Sequence, residues 1–173
     1  MTRYHHIYEK IQDASKTLEN VKHTTPLIHS TTFSKMTQGN IYLKQENLQK
    51  TGSFKVRGAT YALSKLTQNQ KKAGVIAASA GNHAQGVAYA ATKHGIKSTI
   101  IMPAFSPAAK IQATQGYGAQ VILHGSTFDD ALTYAQEKAT ETGATFIHPF
   151  NDENIIAGQG TIGIEILEEL AAP

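Results

Sequence analysis

Apolar residues recur along this chain with two periods, and the alternation between them predicts its elements. Ile7, Ile11, Ala14 and Leu18 share one face of a helix over residues 7–20. Thr25-Pro26-Leu27-Ile28 is predicted extended, because a residue that precedes proline is pushed out of the helical region. Ile41–Lys44 is strand-like, and Gly52-Ser53 forms a turn with Ser53 as the N-cap of a helix from Phe54 to about Leu66. From Gly74 the pattern becomes regular. Short apolar strands at 75–78, 98–102, 120–123 and 145–147 alternate with helices at 81–94, 106–114 and 128–142, and a last helix runs from about Gly160 to Leu170.

Nearly continuous apolar strands separated by helices of about ten residues indicate βαβ units around a parallel sheet. The expected fold class is therefore α/β, with a parallel sheet flanked by helices on both faces through right-handed crossovers. In such sheets ligands bind at the carboxyl ends of the strands, where loops lead into helix N-termini.

Composition narrows the function classes. The chain has 173 residues, 40% of them hydrophobic and 17% charged, which fits one domain or one and a fraction with a real core. It has no Cys, which excludes disulfides, a thiolate nucleophile and Cys-ligated metals. Met1–Lys10 lacks an apolar segment, and the longest apolar runs, such as Thr99–Ala104, are too short to span a bilayer, so a cytoplasmic protein without a membrane partner is expected. The net charge of +3 conceals an asymmetry. Residues 1–72 hold 12 Lys+Arg against 4 Asp+Glu, and residues 73–173 hold 4 against 9. A basic front half suits a solvated face or an anionic ligand. Its lysines are scattered and accompany no nucleic-acid-binding motif, so no nucleic-acid partner is expected.

Four segments could carry chemistry. Gly158-Gln159-Gly160-Thr161-Ile162-Gly163 matches the letters of a dinucleotide fingerprint, but no strand leads directly into it, and these residues stop at Pro173, before the acidic residue expected about 20 positions on could appear. Glycines that permit close helix packing are the better account. Ser79-Ala80-Gly81-Asn82-His83 lies where a strand meets a helix, and small residues at a helix N-terminus favour an anion. A plain capping turn is the alternative. His83 has no second His at ligand spacing and no nearby carboxylate, so it is expected to be structural and no metal site is expected. Thr51–Ala59 places Lys55 in the first turn of a helix, where a cation is disfavoured. A neutral amine there is a nucleophile that can form a Schiff base. A solvated lysine is the alternative. The adjacent carboxylates Asp129/Asp130 and Asp152/Glu153 are expected to be helix-start charges rather than an acid/base dyad.

Two of these segments together resemble a known family. Residues 44–59, Lys-Gln-Glu-Asn-Leu-Gln-Lys-Thr-Gly-Ser-Phe-Lys-Val-Arg-Gly-Ala, are similar to the cofactor-lysine segment of the threonine/serine dehydratases of short catabolic type, which are fold-type II pyridoxal-phosphate (PLP) enzymes. Ser79–Ala88 is similar to their asparagine loop, and Ile156–Thr161 resembles a third segment. The resemblance runs from Thr25 to the end of the chain. It implies that Lys55 carries PLP covalently and removes the substrate α-proton. Phe54 would pack beside the pyridine ring, and Asn82 would bond its 3′-oxygen. Ser79, Ala80, Gly81 and His83 would line the loop that receives the carboxylate of an amino-acid substrate. The implied reaction is β-elimination of water from L-threonine, and from L-serine. Serine racemases place a serine where this chain has Ala80, so the resemblance favours elimination over racemisation.

The resemblance also implies a division: residues 1–50 in a large domain, 51–150 as a three-layer αβα small domain, and 151–173 returning to an incomplete large domain. Relatives continue for about as long again, and their glycine-rich phosphate loop has no counterpart among these residues. A truncated chain that binds PLP weakly and turns over threonine poorly is therefore expected, with a non-catalytic fragment as the alternative. Apolar surface around Ile162, Ile166 and Leu170 would then favour a homo-oligomer.

Overall fold

A computed structural model describes residues 3–171, so the outermost two residues of the expected segments 1–50 and 151–173 lie outside the described residues. The chain runs α1 (Arg3–Leu18), β1 (Leu27–His29), α2 (Thr31–Thr37) and β2 (Tyr42–Lys44), followed by two short 3-10 turns, Glu46–Leu48 and Lys50–Gly52. Then come α3 (Lys55–Ser64), α4 (Gln68–Ala73), β3 (Val75–Ala78), α5 (Asn82–Lys93), β4 (Ser98–Met102) and α6 (Ala108–Gly116). The chain continues through β5 (Gln120–Leu123), α7 (Phe128–Thr142), β6 (Thr145–Phe146) and α8 (Glu153–Ala171).

Four strands form a parallel sheet in the order β5-β4-β3-β6. Strand periodicity divides its side chains between two cores. Val75, Ala77, Ile100 and Met102 face Ala59 and Leu63 of α3 and Val87, Ala88 and Ala91 of α5. Ile76, Ala78 and Ile101 face Ala131, Ala135 and Ala139 of α7. The result is the three-layer αβα arrangement expected from the sequence. β1 and β2 form a separate antiparallel pair.

α1 buries Ala14 and Leu18, and the predicted face contacts Tyr61 and Ala157 through Ala14, Ile7 and Ile11. α8 packs against both α1 and α3. It begins at Glu153 rather than near Gly160, so the fingerprint glycines sit inside a helix, where no pyrophosphate turn forms. A Cβ at Gly158 would lie 2.6 Å from the Arg57 carbonyl oxygen and 2.7 Å from Gly58 Cα, so this glycine sets how closely α8 approaches α3. The exposed apolar positions of α8 are Ile156, Leu167 and Leu170; Ile162 and Ile166, expected among them, are half-buried. α2 and α4 are additional helices that bury no residue.

Part of the charge asymmetry is met within the fold. Lys10 bonds Glu153 at 2.7 Å, Lys22 bonds Glu165 at 2.6 Å, and Lys44 bonds both Glu165 and Glu169. Basic residues of the front half thus meet the acidic residues of α8. No helix among the described residues is long and apolar enough to cross a membrane.

Candidate active site

The carboxyl edge of the sheet is built by three short segments. The first leads into α3. Thr51 holds a left-handed conformation at φ 63°, and Ser53 is extended and buried. Ser53 is not the N-cap. Phe54 occupies that position, and the Ser53 hydroxyl has no hydrogen-bond partner. Lys55 is consequently the first residue of α3. Its backbone lies directly beneath α5: a Cβ at Gly86 would come within 3.0 Å of the Lys55 carbonyl carbon and oxygen.

The Lys55 side chain is half-buried. Its Nζ donates to the Pro149 carbonyl oxygen at 2.9 Å and stands 5.3 Å from the Phe54 ring centroid. No carboxylate among the described residues forms an ion pair with it. Burial lowers its pKa from the ordinary lysine value, so the neutral amine is more accessible than at a surface lysine.

The second segment follows β3. The Ser79 N–H continues the ladder to the Ile101 carbonyl at 3.1 Å, and the Ser79 hydroxyl accepts from the Gly81 N–H at 3.2 Å. Ser79, Ala80 and Gly81 are half-buried, and Asn82 is exposed as the first residue of α5. Gly81 supplies no side-chain cap, and a Cβ there would meet nothing within 4 Å. Open space thus fronts an uncapped helix N-terminus, a geometry that receives anions. Asn82 stands one helical turn before Gly86, roughly 6 Å along the axis, which sets it on the Lys55 side of α5.

His83 turns inward. It is 3% exposed, its Nε2 donates to the Ile147 carbonyl at 3.1 Å, and its Nδ1 has no partner. Burial, with a contribution from nearby Lys55, pushes its pKa down to about 4, so it is neutral at pH 7. The ring ties the Ser79–Asn82 loop to the end of β6.

The third segment, Ile147–Asn151, follows β6 and is not among the four segments singled out above. It supplies the carbonyls that hold His83 and Lys55. Backbone acceptors leave no residue-type signature in a sequence. The carboxylate pairs act as helix-start groups: Asp130 accepts from the Ser126 and Thr127 N–H groups, and Asp152 from those of Asn154 and Ile155.

An amine freed from carboxylates and eased toward neutrality by burial, with an aromatic ring beside it, fits an aldehyde-bearing pyridine cofactor. The αβα sheet is the fold class that the resemblance to fold-type II PLP enzymes implies.

Comparison with known proteins reaches the same class independently. The family described as pyridoxal-phosphate dependent enzyme matches residues 18–173, and the chain belongs to that family. It is 56% identical over 162 residues to an L-threonine ammonia-lyase of Thermotoga maritima, covering 94% of this chain and 40% of that protein. It is 52% identical over 161 residues to the catabolic L-threonine dehydratase TdcB of Staphylococcus aureus, covering 92% of this chain and 46% of that protein. Among solved structures, the processed form of threonine deaminase isoform 2 from Solanum lycopersicum superposes with a TM-score of 0.90 at 38% identity, covering 98% of this chain and 47% of that one. Maize serine racemase superposes with a TM-score of 0.89 at 35% identity, covering 94% and 49%. The chain spans less than half the length of these relatives.

Proposed function

We propose that this chain supplies the lysine-bearing part of a PLP-dependent ammonia-lyase that removes water from L-threonine, and less readily from L-serine. The products are 2-oxobutanoate, or pyruvate, and ammonia. The observation that carries this reading is the Lys55 amine, held by a neutral carbonyl and lowered in pKa by burial. Identity above 50% to a threonine ammonia-lyase and a threonine dehydratase supports the choice of substrate.

In this reading Lys55 would hold the cofactor through Nζ, and the same Nζ would accept the substrate α-proton. Phe54 would hold the cofactor beside its pyridine ring, and Asn82 would hold it at the 3′-oxygen. Ser79, Ala80 and Gly81 orient the substrate carboxylate at the N-terminus of α5, with His83 fixing the loop from below. Bound PLP supplies the electron sink for the carbanion chemistry. Ala80 has no group that could deliver a proton to the opposite face, which favours elimination over racemisation. The division into 1–50, 51–150 and 151–173 belongs to the same reading, supported by the separation of β1–β2 from the four-stranded sheet. A cytoplasmic setting accompanies it, without a nucleic-acid partner.

Excess PLP followed by borohydride reduction and peptide mapping tests the assignment. Lys55 should be the lysine modified first near neutral pH, and Lys55→Ala should remove that adduct and any 2-oxobutanoate formation. Label spread evenly over the lysines, or unchanged in Lys55→Ala, would overturn it.

A further inference from the structure

The segment after β6 holds two groups of the candidate site with alternate carbonyls, Ile147 to His83 and Pro149 to Lys55. Ile147 still joins the sheet, its N–H donating to the Ile76 carbonyl at 2.8 Å, but from His148 onward the backbone has no ladder and something else must hold it. His148 lies between the two carbonyls. Its Nδ1 accepts from the Phe150 N–H at 3.2 Å and from the Asn151 N–H at 2.8 Å. Two N–H donors on one nitrogen fix the tautomer: Nδ1 carries the lone pair and Nε2 the proton. Phe146 and Phe150 meet the imidazole edge-on, with centroids 6.1 and 4.7 Å away, and restrict the ring. The ring therefore folds the chain back immediately after Pro149.

We infer that His148 is a positioning residue for Lys55: its Nδ1 lone pair locks the 147–151 turn and so places the Pro149 carbonyl against the lysine amine. The inference rests on the reading of Lys55 given above, but its geometry concerns this chain alone. Without the lock, the two N–H groups seek water, the turn loosens, and the Lys55 amine is hydrated. Hydration favours the ammonium form. The reactive neutral fraction falls tenfold for each unit by which the pKa climbs.

Two substitutions of similar polarity separate the acceptor from the bulk of the ring. Asn places its amide oxygen where Nδ1 stands, whereas Gln places its own one bond further out. The measurement is competitive acetylation of Lys55 across pH, read by peptide mapping, with urea unfolding as a check that each variant is folded. His148→Asn should keep the rate near that of the parent protein, and His148→Gln should slow it near neutral pH on the order of tenfold. Equal rates in Asn and Gln, whether both unchanged or both slowed, would overturn the inference. Acetylation requires no cofactor, so failure of the PLP reading shows separately, as absence of Lys55-specific capture in the parent protein.

Discussion

Arg57 is fully buried, and every N–H of its guanidinium finds an acceptor. Nε and Nη2 reach the two oxygens of Glu46, each at 2.8 Å. Nη1 and Nη2 reach those of Glu165 at 2.7 and 2.9 Å, and Nη1 also reaches the Thr161 hydroxyl at 3.1 Å. Burial penalises the charge, yet the carboxylates outweigh it and keep the guanidinium protonated. The planar fork joins α3, the turn before it and α8, only two residues from Lys55. Arg57→Ala would leave Glu46 without its counter-charge and Glu165 with Lys22 and Lys44 alone, and should cost about 3–5 kcal/mol in urea unfolding. Lys cannot reproduce the fork and should recover only part of that loss. Arg57 stood within the segment that carried the family resemblance, yet its structural role was not legible. Its partners lie 11 and 108 residues away, and no local pattern joins them.

At the scale of elements, legibility followed burial. Helices with an apolar face, such as α5 and α7, and strands with continuous apolar runs were predicted to within a few residues. α2 and α4 bury nothing, so no periodicity betrays them, although Thr67 and Gln70 form a capping box that a search for caps would find. α8 starts at Glu153 rather than at about Gly160, and its added turns contain a glycine, a poor helix former. Tertiary packing overrides that propensity at Gly158. Gly158→Ala should force α8 away from α3 backbone and cost about 1–3 kcal/mol. Gly163→Ala meets nothing within 4 Å and should stabilise the same helix by up to about 1 kcal/mol. Thermal unfolding of the pair tests the packing account directly, since the two substitutions are chemically identical and differ only in what faces them.

Across the whole molecule, two buried groups set how stability responds to acid. His83 titrates near 6.5 when unfolded and is pushed down to about 4 by burial in the fold. Its contribution is therefore complete above pH 6.5 and falls as pH drops toward 4, by up to about 1.4 kcal/mol per unit. Burial alone would raise Glu165, but hydrogen bonds from Arg57, Lys22 and Lys44 hold it down to about 2. Its contribution is present above pH 4.5 and is lost between there and about 2. Denaturant unfolding against pH should show both declines, and His83→Asn should flatten the upper one alone. The strand order β5-β4-β3-β6 belongs to this scale too. It was not legible, because parallel pairing depends on crossovers rather than on any local motif.

The pairing of a basic front half with an acidic α8 has a consequence in time. Arg57 leaves the ribosome 108 residues ahead of Glu165. At ordinary elongation rates of about 5–20 residues per second, it waits about 5–20 s before that counter-charge exists. The sheet and its covering helices can assemble during this interval, while α1 and the outer face of α3 remain uncovered. Docking of α8 thus comes late in this stretch of chain, and it brings Glu165 to the guanidinium as it packs on α1 and α3.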